Sequence, residues 1–239
     1  MNKNISPGRK TSALIGVLFL VQMIAASVSH SAILVPLLFG DDFLVTISEN
    51  SNNVIAAMLL DLVCGASVFG IGVLLYPILK KYSEPIALWH LGLRLNEWVM
   101  VTISGIFLLT LLSISNHYTT SAGPEHTCLR ILGDNILQAR GYTKILMLLG
   151  FCLSAFMFYY LLFKSKILPR FISVWGLIGV LLLFAEVISN IYGRSVGGIT
   201  IMLPLGLNEL FLGVWLIVKG FDSIASGNVQ KGIDGTQVQ

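Results

Sequence analysis

Six stretches of this 239-residue chain are each apolar and long enough to cross a bilayer, and together they use up most of it. A hydrocarbon core of ~30 Å needs about 20 helical residues. The stretches run Thr11–Phe39, Asn53–Leu79, Ile86–Ile114, Gly141–Phe163, Pro169–Asn190 and Ile199–Lys219. All are too long for strands and none alternates with period two, which excludes a β-barrel. Lipid offers the backbone no hydrogen-bond partner, so a spanning segment must satisfy its own N–H and C=O groups as a helix. The expected fold is therefore all-α, a polytopic six-helix bundle forming one membrane domain over residues 1–221. A Ser-, Gly- and Gln-containing tail, 222–239, is expected to be a disordered cytoplasmic extension.

Composition narrows the function classes. Hydrophobic residues make up 55% and charged residues 11%, with a mean hydropathy of +0.84, leaving too few polar groups to cover a soluble domain. The net charge of +3 is not spread as a nucleic-acid footprint, because no basic patch interleaves with aromatics. Cys64 and Cys152 fall in apolar spans and Cys128 in a polar stretch, so no disulfide framework or metal spacing is expected. No HExxH, GxSxG, P-loop or strand-linked GxGxxG is present, and neither a catalytic residue nor a cofactor is expected.

Lys and Arg set the expected orientation. With the N-terminus inside, Lys3, Arg9, Lys10, Lys80, Lys81, Lys164, Lys166, Arg170, Lys219 and Lys231 are cytoplasmic, ten against four (Arg130, Arg140, Lys144 and Arg194) on the other side. That bias and an even span number put both termini in the cytoplasm. A cleaved leader is the rival reading of the first span, but its apolar run continues past any small-residue site near Ala26 to Phe39. The longest polar piece, Ser115–Arg140, is expected as an outer loop carrying a short interfacial helix at Cys128–Leu137.

The polar residues inside the spans carry the functional question. A charge at bilayer centre costs at least ~2.5 kcal/mol, so each is paired, neutralised or functional. Asp61, Arg94, Glu97, Glu186 and Glu209 lie well inside spans, and Asn208 precedes Glu209. His90, Arg94 and Glu97 share one helical face by their i, i+4, i+7 spacing, as do Glu186 and Asn190 four apart. Residue counts place Glu97 and Glu209 near mid-membrane, Arg94 a turn nearer the cytoplasm, and Asp61 and Glu186 in the outer half. Arg94 is expected to pair with Glu97 or Asp61. The surplus acids either stay protonated and pin helices together, or ligate a proton or small cationic ligand in a midplane cavity. His90, near the cytoplasmic boundary, is expected to reach out to the interface.

The second half carries a resemblance. Tyr160–Gly179 (YLLFKSKILPRFISVWGLIG) and Leu203–Phe221 (LPLGLNELFLGVWLIVKGF) resemble the bacterial multi-pass family called domain of unknown function 4386. Asp61, Tyr76, Leu93-Arg94 and Glu97 extend the likeness into the first half. It implies a six-helix protein of the bacterial inner membrane and brings no activity with it. The expected function is non-enzymatic binding or transport of a small cationic or protonatable solute, with the lipid bilayer as surroundings and no set oligomeric state. The alternatives are a membrane-embedded enzyme on a lipid or isoprenoid substrate, hinted at by His90 with Glu97, and a structural or assembly subunit without a site.

Overall fold

In the computed structural model, residues 7–40, 42–194 and 196–221 are described. They are helical almost throughout: α1 (Pro7–Ser27), a π-helical segment (Val28–Leu34), α2 (Val35–Leu38), α3 (Phe43–Glu49), α4 (Ser51–Leu79), α5 (Glu84–Tyr118), α6 (Pro124–Ser165), α7 (Arg170–Ile191) and α8 (Ile199–Val218). Six helical stretches among the described residues have the length and apolarity of membrane spans, beginning with Gly8–Leu38, which joins α1, the π segment and α2. Only 33–44% of the most apolar window of each is buried within the protein. Leu14, Ile24, Leu181 and Leu203 are among many large apolar side chains that face outward. A helix that is apolar all round while most of it stays uncovered requires lipid as its solvent. The tail expected at 222–239 lies outside the described residues.

The π segment has a local cause. Pro36 has no N–H, and its ring crowds the carbonyl four residues back, at Ala32. The wider turn of Val28–Leu34 contains that carbonyl, so the helix reaches Leu38 without a break.

The region expected as an outer loop needs correction. Residues 119–123 alone separate α5 from α6, and α6 is a single helix of 42 residues that absorbs Cys128–Leu137. Residues 115–140 are too polar for a hydropathy window to register as a span. Nevertheless Leu129, Gly133, Ile136 and Leu137 repeat at helical spacing. Leu129, Ile136 and Leu137 pack against a core of Leu34, Leu38, Phe43, Leu44, Ile47, Leu108 and Leu111. A Cβ on Gly133 would stand 3.0 Å from a Leu44 methyl, so the glycine lets α6 approach α3.

The chain falls into two compact units, and α1, α4, α5 and α6 each contribute a segment to both. The first comprises the described parts of Met1–Leu20, Ile71–Leu91 and Cys152–Gln239. There α1 and α8 meet at Gly16 and Gly213, where a Cβ on Gly16 would lie 2.8 Å from Ile217. Small residues at such a crossing allow the close backbone approach on which membrane helix packing depends. Arg9 Nη2 donates to the Val218 carbonyl at 2.5 Å, answering one of the C-terminal acceptors that α8 cannot satisfy itself.

The second unit comprises Val21–Gly70 and Gly92–Phe151. Its apolar core is stitched at one end by polar contacts. Ser115 Oγ donates to the Leu44 carbonyl. Asp42 accepts from Arg130 Nη1 at 3.0 Å and from the Tyr118 hydroxyl at 3.3 Å.

Candidate functional site

In the second unit, α4 carries Asp61 and the π segment carries Ser29. The Ser29 hydroxyl lies 2.5 Å from Asp61 Oδ1 and 3.1 Å from the Ala57 carbonyl. Asp61 Oδ2 lies 3.6 Å from Arg140 Nη2, with side chains 20% and 13% exposed. One helical turn further along α6, Lys144 Nζ lies 3.0 Å from His30 Nε2. Arg140 Nε is buried and meets no acceptor among the described residues. Beside this cluster is a partly open cavity of about 530 Å³. Its lining is His30, Leu34, Leu38, Phe39, Asp134, Asn135, Leu137, Gln138, Arg140, Gly141 and Lys144.

Arg94 and Glu97, on α5 in the same unit, contact each other through Nη1 and Oε2 at 3.2 Å, with side chains 1% and 8% exposed. The Arg94 guanidinium also lies 5.3 Å from the centre of the Phe151 ring, an electrostatic contact that helps to hold a desolvated cation. Of the two acids expected for Arg94, Glu97 takes it, while Asp61 is answered by Arg140.

The first unit uses its polar residues differently. Glu186 accepts from the backbone N–H groups of Val196, Gly197 and Gly198 at 2.9–3.2 Å and from Asn190 Nδ2 at 3.2 Å. It thereby caps the approach to α8, where helix N–H groups lack internal partners and the helix dipole favours an anion. Gly193 and Gly198, at φ 70° and 55°, supply the left-handed backbone that turns this loop. Asn208 Nδ2 donates to the Ile172 carbonyl at 3.0 Å, joining α8 to α7. Glu209 is buried on α8. His90, expected to reach an interface, is fully buried instead. Its Nδ1 lies 2.9 Å from Ser154 Oγ, and the Phe158 ring stacks on it with centroids 5.6 Å apart. Sealed in this way, the pair joins α5 to α6.

Ser29, Arg140 and Lys144 do not stand out in the sequence as members of a buried polar centre, whereas His30 does count among the neutral polar residues inside the spans. The available signal was Arg140 and Lys144 at i, i+4, two cations on one face at the start of an apolar span, with Asp61 in need of a partner.

The fold and its buried polar contacts define a multi-pass α-helical membrane protein. Residues 14–220 match the family model described as Domain of unknown function (DUF4386), and the chain belongs to that family. No curated protein and no solved structure matches it.

Proposed function

We propose that this is a non-enzymatic protein of the bacterial inner membrane, with both termini cytoplasmic, that binds or moves a small protonatable solute at the centre around Asp61. The observation that carries this reading is the accessibility of one acid. Glu97 is closed off by Arg94, and Glu186 by backbone amides. Asp61 keeps a side chain that is 20% exposed and a loose basic partner at 3.6 Å, and that partner lines a cavity of about 530 Å³, a volume typical of small-molecule sites. Protonating Asp61 removes the charge that holds Arg140, which frees the guanidinium for a solute in the cavity. In this reading Asn208 and Glu186 tie α7 to α8 and its approach, and Arg94–Glu97 neutralises two buried charges within α5. The Lys and Arg bias supports the orientation, and the family resemblance supports the bacterial inner membrane.

Asp61→Asn tests it, because the amide mimics the uncharged acid at every pH. Purified parent protein, melted against small acids and amines between about pH 5 and 8, should show stabilisation that depends on pH. The variant should melt at a similar temperature without solute and lose that pH dependence. A variant whose solute response titrates like the parent's takes Asp61 out of the function.

A further inference from the structure

We infer that the cavity beside Asp61 takes an anionic amphiphile, its phosphate or carboxylate head on Arg140 and Lys144 and its alkyl chain along Leu34, Leu38 and Leu137. This rests on the reading of Asp61 as the solute centre and names the solute class. Two different surfaces meet in the cavity. Leu34 and Leu38, from the π segment and α2, and Leu137 of α6 belong to its apolar part, while His30, Asp134, Asn135, Gln138, Arg140 and Lys144 supply its polar part. The apolar part suits a chain rather than a compact ion.

The polar part is rich in donors. Arg140 Nε is buried without an acceptor among the described residues, and a buried donor in that state calls for a partner. Lys144 makes no salt bridge among the described residues; its ammonium contacts the His30 ring nitrogen at 3.0 Å and has further N–H groups to give. The acids nearby are already engaged. Asp61 faces Arg140 and Ser29, and Asp134, which also lines the cavity, lies 3.6 Å from Arg130 Nε. A cationic head would meet Arg140 and Lys144 with like charge. An anionic head would give Arg140 Nε and the remaining N–H groups of the Lys144 ammonium charge-assisted acceptors. The proton link follows from the same geometry, since a neutral Asp61 no longer competes with the head for Arg140.

The test uses the full chain in uncharged maltoside micelles, with dodecyl phosphate titrated as a mole fraction of the micelle. Dodecyltrimethylammonium and inorganic phosphate serve as comparison probes, and thermal shift and binding of labelled dodecyl phosphate are the readouts. Dodecyl phosphate should stabilise the parent saturably. Lys144→Gln should weaken its binding about tenfold, as expected for one lost charge-assisted contact, and Leu137→Trp should fill the cavity and abolish saturation. Lys164→Gln, at the far end of α6, should bind like the parent. Both test variants are judged only if their melting without probe matches the parent's, with Leu137→Phe as the milder filling change. Saturation by the alkylammonium and not by the phosphate would overturn the anionic class and leave the Asp61 reading standing. Equal response to inorganic phosphate would overturn the amphiphile in favour of a free anion. Parent-like binding by Lys144→Gln and Leu137→Trp would move the site elsewhere. No saturable probe, together with an Asp61→Asn variant indistinguishable from the parent, would remove both readings.

Discussion

Replacing Arg94 by methionine keeps most of the buried stem and removes the guanidinium, and with it the pair with Glu97 and the contact over Phe151. At 3.2 Å and an effective dielectric constant of about 20, the attraction is about 5 kcal/mol. The loss is capped below that, because Glu97 can escape an orphaned charge by taking up a proton. From the ordinary glutamate value near 4.3, protonation at pH 7 costs about 3.7 kcal/mol, at 1.36 kcal/mol per unit. At pH 5 the same step costs about 1 kcal/mol. In the variant Glu97 is neutral when folded and ionised when unfolded, so stability is retained at low pH and lost as pH rises. In a chain of this size 1 kcal/mol corresponds to about 2–4 °C, so Arg94→Met should melt about 10 °C below the parent at pH 7 and only about 3 °C below it at pH 5. Adding Glu97→Gln should flatten the pH dependence and recover much of the loss. Melting of detergent-purified protein at the two pH values reads this directly. An equal deficit at both, or a double variant no better than the single one, would show that Arg94 contributes packing and not charge.

Glu186→Ala should leave the amides of Val196, Gly197 and Gly198 without their acceptor and cost about 3 kcal/mol, whereas Glu186→Gln keeps one acceptor oxygen and should cost less. Melting temperature and faster hydrogen exchange at those three amides check it, and unchanged exchange would refute the capping role. For orientation, an impermeant thiol reagent on intact cells should label a single cysteine at position 122 and not one at 227. The reverse pattern would invert the proposed topology.

What could be read from the sequence divides along physical lines. Lipid contact leaves a mark on every residue of a span, so the six stretches are visible from apolar length alone. The Arg94–Glu97 contact is visible too, because i, i+3 neighbours on one helix meet whatever the tertiary structure does. The first 17 residues of α6 are not, because their helix is stabilised by one apolar stripe packed on the core around Leu44 and not by lipid. A hydropathy window averages that stripe away, although Leu129, Gly133, Ile136 and Leu137 spell it out at helical spacing. Glu186 is opaque for another reason: its partners are backbone N–H groups of a loop, which leave no side-chain signature.

Arg140 shows why the candidate site was the least legible part. In the sequence, four acids against a single buried arginine make an excess of negative charge, which by itself points to a cationic solute. The count changes once α6 is one helix, because Arg140 then belongs to the same unit as Asp61 and reaches it at 3.6 Å. Lys144 follows one turn on, without an acidic partner of its own among the described residues, and the polarity of the centre reverses. Where a helix begins decides which charges a buried acid can meet, and through them the sign of the solute that the cavity suits.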